Sequence, residues 1–167
     1  MNKKEKVLEI IRRLEKRYPD VKTALNFKTA LDLLVATILS AQTTDVNVNK
    51  VTEKLFKKYK TVYDYANVPL EELQEDIKSI NFYKNKANYI KNLAKVLIDR
   101  FNGELPKSME ELVSLPGVGR KTANIVLWNA FGINEGIAVD THVKRISKLL
   151  GLTENTDPEK IEQDLME

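Results

Sequence analysis

The sequence predicts an all-α fold, and several features of the chain support that prediction. Apolar residues recur at intervals of three and four, which is the period of an amphipathic helix. Capping residues, prolines and glycines stand at the ends of these segments, where they begin and end helices. The sequence shows no strand-rich region, no clear repeat and no low-complexity linker, so short connections between helices are expected.

The first half of the chain predicts a series of helices around one buried helix. The first has an apolar face formed by Val7, Ile11, Leu14 and Tyr18. Pro19 ends this helix, and its opposite, basic face indicates a solvated surface more than a phosphate contact. Residues 29–40 are apolar nearly all round and predict a buried central helix. Further helices are predicted at 44–59, 62–66 and 70–77, the last opened by Pro69 in its first turn.

The second half predicts helices whose ends are marked by their residue types. Asn102 and Gly103 end the helix predicted at 84–101, because both residues adopt positive φ readily. Gly132 ends the helix predicted at 120–131, and Asp140 or Thr141 caps the helix predicted at 140–150. The helices are predicted at 84–101, 108–114, 120–131, 140–150 and from 157 to the end of the chain.

Composition and charge exclude several classes of site. The 167 residues suit one domain or two small lobes, and a hydrophobic content of 43% is enough for a core. A formal net charge of +3 permits a nucleic-acid partner without arguing for one. The sequence has no cysteine, which excludes disulfides, thiolate catalysis, iron–sulfur clusters and cysteine-ligated metal sites in these residues. His142 is its only histidine, which excludes a histidine-rich metal site. No signal peptide or run of about 20 apolar residues is visible, so a soluble intracellular protein is expected.

The stretch from 108 to 132 is the most informative part of the sequence. Two predicted helices are joined by Leu115-Pro-Gly-Val-Gly119, in which Pro116 ends the first helix and the glycines permit positive φ. Val118 between the glycines is expected to point inward. The amides from Gly117 to Lys121 then lie at the start of a helix, where N–H groups and the helix dipole bind anions such as a nucleic-acid phosphate. A turn with no ligand explains the spacing alone equally well.

The block LPGVGRKTA resembles the helix-hairpin-helix motif of the endonuclease III family of DNA glycosylases. Further blocks resemble the same family in the expected order and cover almost the whole chain, at residues 25–45, 80–87 and 138–147. The resemblance implies an all-α, two-lobed helix-hairpin-helix glycosylase fold with DNA in the cleft between the lobes. The expected boundaries are 22–136 for a six-helix barrel lobe that contains the hairpin (108–132), and 1–21 with 137–167 for an incomplete second helical lobe.

The resemblance implies that Lys121 and Asp140 carry the chemistry. An uncharged Lys121 amine would attack C1′ of a damaged nucleotide, release the base and form a Schiff base that permits strand cleavage by β-elimination. The start of a helix and partial burial in a cleft are expected to disfavour the ammonium form. Asp140 would help to deprotonate the lysine or stabilise charge on the sugar. Taken alone, Lys121 is more often an exposed or phosphate-binding lysine, and Asp140 more often a helix cap.

The resemblance also implies residues that would handle the DNA. Gln42 would hydrogen-bond the base left without a partner when the damaged base is extruded, and Phe82 would wedge between base steps. Many relatives carry leucine in place of Phe82, and a core aromatic explains this residue equally well. Further DNA contacts are expected at Gly117, Val118, Gly119, Arg120, Lys144 and Arg145.

Some conspicuous residues are interpreted as structural. His142 is expected to hydrogen-bond the local backbone. Trp128 is expected in the core or packed between the lobes. Asp45 is expected to cap the third helix rather than to support a substrate pocket.

The chain departs from the family at its C-terminal end. Typical members end in a four-cysteine loop that binds a [4Fe–4S] cluster, whereas this chain has no cysteine. No cofactor is therefore expected to bind these residues. The chain is either a fragment, which its abrupt end favours, or a cluster-free variant that ends early. In both cases lower stability and weaker DNA affinity than in a full-length relative are expected.

The sequence therefore predicts a base-excision DNA repair glycosylase with AP lyase activity, which removes oxidised pyrimidines from double-stranded DNA. A monomer in the cytoplasm, associated with the nucleoid and not with a membrane, is expected. Two alternatives stay open. One is a non-catalytic helix-hairpin-helix DNA-binding module. The other is a mismatch-specific monofunctional glycosylase, against which Lys121 argues because relatives that only remove the base typically lack this lysine.

Overall fold

A computed structural model of the chain describes residues 2–167 and confirms the all-α prediction. Within these residues the structure consists of α-helices and connecting segments, with no β-strand. The helices are α1 (Lys3–Arg17), α2 (Ala30–Ser40), α3 (Asp45–Lys58), α4 (Val62–Asn67), α5 (Leu70–Asp76), α6 (Tyr83–Phe101), α7 (Met109–Val113), α8 (Arg120–Phe131), α9 (Thr141–Leu149) and α10 (Pro158–Met166).

The chain forms two compact units. The first, here called the hairpin unit, is Ala24–Ala138 and contains α2 to α8. The second, here called the terminal unit, consists of the described part of Met1–Thr23 together with Val139–Glu167, and it contains α1, α9 and α10. Chain segments from both ends of the sequence therefore build one unit.

Helix α2 is the central helix of the hairpin unit. Leu31–Leu39 is buried throughout, and α2 packs against α3, α6 and α8. Full burial of one leucine side chain stabilises a fold by about 1.5–3 kcal/mol, so this helix contributes much of the core energy. The buried Thr37 hydroxyl donates a hydrogen bond to the Leu33 carbonyl at 2.7 Å, which satisfies the polar atom inside the core. The prediction of a buried central helix is confirmed.

Threonines cap the N-termini of three helices in this unit. Thr29, Thr44 and Thr61 each accept a hydrogen bond from the backbone amide three residues further along. The prediction that Asp45 caps α3 is wrong, because the Thr44 side chain takes that role and Asp45 is the first helical residue. Pro69 occupies the N-cap of α5, one position before the predicted first turn.

The terminal unit has a smaller core. Ile161 of α10 is fully buried, and the Lys6 ammonium of α1 donates a hydrogen bond to the Leu150 carbonyl. The apolar face predicted for α1 is largely exposed: α1 has no buried residue, and Leu14 and Tyr18 are 51% and 58% exposed. The helix itself was correctly predicted, but the burial of its apolar face was not.

None of the helices within residues 2–167 is both long enough and apolar enough to cross a membrane.

Candidate functional site

The turn between α7 and α8 is held by two buried apolar side chains. Leu115 and Val118 are 2% and 7% exposed, and the Val118 amide donates to the Leu115 carbonyl at 3.2 Å. Val118 therefore points inward, as its place between two glycines predicts. Anchored in this way, the turn has a defined position relative to the core of the hairpin unit.

Gly117 lies where the turn passes close to α6. Its φ is +75°, and a β-carbon at this position would lie 2.8 Å from Cβ and Cγ of Tyr89. Real β-carbons do not approach other heavy atoms so closely, and a side chain at this φ is strained as well. Both the backbone conformation and the available space therefore require glycine here.

Gly119 is the N-cap of α8 and differs from Gly117 in its surroundings. Its φ is −98°, and a β-carbon added here would meet no heavy atom within 4 Å. Glycine supplies no side-chain cap, and the helix has no internal acceptor for the amides of its first turn. The open space and the amides together suit an anion at the start of α8.

Lys121 is the second residue of α8 and is exposed, as is its neighbour Arg120. The expectation of partial burial for Lys121 is therefore wrong for the described residues. The helix is positioned by its other side, where Ala123, Val126 and Leu127 are fully buried. Lys121 thus projects from a fixed helix start with its amine open to solvent.

Asp140 is the N-cap of α9 in the terminal unit. Its Oδ1 accepts a hydrogen bond from the Val143 amide at 2.8 Å, and its Oδ2 lies 3.5 Å from Nδ1 of His142. The interpretation of Asp140 as a cap is confirmed, and the alternative cap Thr141 is the first helical residue. His142 faces this carboxylate rather than the backbone that was expected, although its side chain is 78% exposed.

Two predicted DNA contacts follow Asp140 on the same helix. Lys144 and Arg145 lie in α9 and are exposed. Lys121 belongs to the hairpin unit, whereas Asp140, Lys144 and Arg145 belong to the terminal unit. The pairing of Lys121 with Asp140 therefore stays a prediction from the family resemblance.

The structure brings Gln42 and Phe82 into neighbouring loops of the hairpin unit. Both residues have left-handed backbones, with φ of 54° and 57°, and the Asn81 side-chain amide donates to the Gln42 carbonyl at 2.6 Å. The interpretation of Phe82 as a core aromatic is wrong, since its side chain is 61% exposed. An exposed aromatic at a left-handed position directly before a helix is available to contact a partner.

The contacts of two residues beside these loops were not predicted from the sequence. Asn81 and Lys86 both hydrogen-bond the loop that contains Gln42. Residues 80–87 form one of the blocks that resemble the family. The helical pattern of α6, however, does not indicate that Lys86 is buried. Such contacts are long-range in sequence and depend on how α2 and α6 pack.

Trp128 is not a core residue. Its side chain is 58% exposed on α8, so the expectation of a core position is wrong, while packing between the lobes stays a prediction. The apolar pattern of α8 continues onto its exposed face, which periodicity alone does not distinguish from the buried one.

Comparison with known proteins places this geometry in a family. A model of the HhH-GPD superfamily of base excision DNA repair proteins matches residues 35–167. The chain is similar to the endonuclease III of Synechocystis sp., with 51% identity over 165 residues that cover 99% of this chain and 75% of the relative.

Solved structures agree with the sequence comparison. A trapped covalent intermediate of endonuclease III with DNA matches with a TM-score of 0.94 and 48% identity, covering 99% of this chain and 78% of that chain. A non-covalent endonuclease III–DNA complex matches with a TM-score of 0.93, at the same identity and coverage.

Proposed function

The chain belongs to the HhH-GPD superfamily of base excision DNA repair proteins, and we propose that it removes oxidised pyrimidines from duplex DNA and then cleaves the strand by β-elimination. Its similarity to endonuclease III over nearly the whole chain supports DNA glycosylase and abasic-site lyase activity. The observation that carries the choice of chemistry is Lys121 in the first turn of α8, directly after the glycine turn. A primary amine at this point is the group that a Schiff-base mechanism requires.

In the proposed reaction the Lys121 amine attacks C1′ of the damaged nucleotide and the N-glycosidic bond breaks. The base leaves with the bonding electron pair and takes up a proton. Loss of the amine proton and opening of the sugar ring then give a Schiff base between Nζ and C1′, with the ring oxygen protonated. The imine acidifies the proton on C2′, and its removal expels the 3′ phosphate and breaks the strand.

The exposure of Lys121 leaves its side chain accessible to a bound nucleotide. Because Lys121 is exposed, desolvation has to come from the bound nucleotide, which covers the amine only when the sugar is in place. Activation is therefore coupled to substrate binding.

Asp140 would supply the negative charge in this mechanism. A carboxylate can accept the proton of the attacking amine or stabilise positive charge that develops on the sugar. The hydrogen bond from the Val143 amide fixes the orientation of the carboxylate. Capping and catalysis are compatible, because a carboxylate has two oxygens and about four acceptor sites.

Recognition of the DNA would use residues on both units. The start of α8 at Gly119 suits a backbone phosphate, and Arg120, Lys144 and Arg145 are exposed cations. Extruding a base costs about a few kcal/mol, and something must fill the gap that it leaves. The exposed Phe82 and the neighbouring Gln42 would enter that gap.

The iron–sulfur cluster that the family resemblance implies does not fit the residues of this chain. A [4Fe–4S] cluster is held by cysteine thiolates, and the 167 residues contain none. No step of the proposed reaction uses a cluster.

A strand-cleavage assay tests the proposal. Duplexes that carry one oxidised pyrimidine are incubated with the wild type and with Lys121→Gln, and the exposed Lys54→Gln of α3 serves as a matched control. We expect wild type and Lys54→Gln to cleave at the lesion and leave a β-elimination end. Lys121→Gln should lose cleavage by about 100-fold or more, because the reacting group is gone.

Other outcomes contradict the proposal in identifiable ways. Release of the base without strand cleavage by the wild type would indicate a monofunctional glycosylase. Cleavage only at mismatched thymine or adenine would overturn the substrate class. Binding to duplex DNA with no reaction on any lesion would leave a helix-hairpin-helix binding module.

A further inference from the structure

Two strained loops lie side by side in the hairpin unit. The Gln42 loop (residues 41–44) follows α2, and the Phe82 loop (residues 79–82) precedes α6. Gln42 and Phe82 both have left-handed backbones without being glycine. Such conformations persist only where the surrounding structure holds them, and they cluster at sites that bind or move a partner.

Lys86 is the group that holds the Gln42 loop. It is 5% exposed, and its Nζ donates to the carbonyls of Leu39 at 2.9 Å and Ala41 at 2.6 Å. A longer hydrogen bond of 3.4 Å reaches the Thr43 hydroxyl. These acceptors stand on both sides of Gln42 in the sequence, so one ammonium group fixes the chain before and after that residue.

The same lysine is tied to the Phe82 loop through its backbone. The Lys86 amide donates to the Phe82 carbonyl at 3.0 Å in the first turn of α6. Lys86 therefore contacts one loop with its side chain and the other with its main chain. Burial lowers the pKa of the Lys86 ammonium, and the three acceptors that hold it are neutral oxygens.

Two asparagines add cross-links around this lysine. Asn81 of the Phe82 loop donates from Nδ2 to the Gln42 carbonyl at 2.6 Å. Asn47, in the first turn of α3, donates from Nδ2 to the Ser79 carbonyl at 3.2 Å. Asn81 therefore joins the two loops directly, and Asn47 ties the Phe82 loop to α3.

We propose that Lys86 is a positioning residue, which holds Gln42 beside Phe82 so that both side chains enter the duplex as one preformed unit. This inference rests on the proposed function, because it assumes that these two residues fill the gap left by an extruded nucleotide. Lys86 would touch no DNA and would act through Gln42. A preformed pair loses less conformational freedom on binding than two independent loops would.

The same helix offers a matched control. Lys91 of α6 donates from Nζ to the carbonyls of Ala66 at 2.7 Å and Val68 at 2.5 Å, at the end of α4. It therefore makes the same kind of contact as Lys86, an ammonium group on the last carbonyls of a helix, but away from both loops. Lys91→Met removes such a contact without changing the Gln42 loop.

The test compares cleavage of an abasic site in duplex DNA with cleavage of the same site in single-stranded DNA. A single strand requires neither extrusion from a duplex nor a residue to fill the gap. We expect Lys86→Met to lower the single-turnover rate on duplex by about 10-fold or more, because misplaced loops disturb the bound geometry. The rate of Lys86→Met on single-stranded DNA should stay within about twofold of the wild-type rate. The control Lys91→Met should stay within about twofold of the wild type on both substrates.

A double-mutant cycle shows whether Lys86 acts through Gln42. If it does, Lys86→Met added to Gln42→Ala should change the duplex rate no further, so the two losses are not additive. Asn81→Ala provides a second variant should Lys86→Met fail to fold, since Asn81 is exposed and its side chain bonds the same loop. Asn81→Ala should lose about threefold or more on duplex only, again without adding to Gln42→Ala.

The possible failures are distinguishable. A wild type that cleaves neither substrate contradicts the proposed function itself. A wild type that cleaves both substrates, with Lys86→Met matching Lys91→Met on duplex, overturns the role of Lys86 alone. Where Lys86→Met does not fold, Asn81→Ala matching Lys91→Met on duplex overturns the preformed pair that Lys86 is proposed to hold. Fully additive losses with Gln42→Ala, or equal losses on duplex and single strand, would likewise reduce Lys86 to a structural residue.

Discussion

The two glycines of the α7–α8 turn have different physical requirements. Gly117 needs a positive φ and has Tyr89 against it, whereas Gly119 has an ordinary φ and open space around it. Stability therefore depends on the first glycine. The open space beside the second is where a phosphate would lie, so DNA binding should depend on it.

Alanine substitutions separate these two roles. Gly117→Ala should lower the free energy of unfolding by about 1–3 kcal/mol, from an unfavourable φ and the clash with Tyr89. Gly119→Ala should lower it by less, roughly 0.5–1 kcal/mol, because nothing lies near the added methyl group but alanine is a poorer N-cap than glycine. Urea denaturation measures both values, and fluorescence anisotropy at fixed salt measures DNA affinity, which Gly119→Ala should weaken. Equal stability losses in the two variants would contradict this account.

At the level of single helices, Asp140 has a structural role as a helix cap and a proposed role in the reaction. As the N-cap of α9 it satisfies the Val143 amide, and as a carboxylate it would assist the reaction. Aspartate and asparagine cap helices about equally well, whereas alanine loses typically about 1 kcal/mol at an N-cap. The two roles can therefore be separated by the choice of substitution.

Asp140→Asn should keep the stability of the protein and lose its chemistry. We expect its free energy of unfolding to stay within about 0.5 kcal/mol of the wild type, with Asp140→Ala lower by about 1 kcal/mol. Removing the charge should slow single-turnover strand cleavage by about 100-fold or more. Denaturation and rapid-quench kinetics on the same samples give both values. Wild-type cleavage by Asp140→Asn would leave this residue as a cap and nothing more.

The elements also show which features the sequence could predict. Helix bounds depend on local signals, and most were predicted to within one or two residues, from Thr29 at α2 to Gly132 after α8. Burial depends on packing between distant segments. For that reason Trp128 was wrongly placed in the core, Phe82 could not be distinguished from a core residue, and the buried contacts of Lys86 were not foreseen.

At the level of the whole molecule, the residues of the proposed mechanism are divided between the two units. The start of α8 and the loops of Gln42 and Phe82 belong to the hairpin unit, and Asp140 with the cations of α9 belongs to the terminal unit. Periodicity predicted the helices but carries no information on pairings between side chains so far apart in sequence. That part of the site was predicted only because conspicuous blocks of sequence resemble one family in the same order.

Trapping the covalent intermediate shows which amine of the protein reacts with the sugar. Borohydride reduces a Schiff base to a stable secondary amine, so an abasic-site duplex should become covalently attached to the protein, and peptide mapping by mass spectrometry identifies the residue that carries it. We expect the adduct on Lys121, its loss in Lys121→Gln and its retention in Lys54→Gln. An adduct mapped to another amine, or one that is undiminished in Lys121→Gln, would contradict the proposed mechanism.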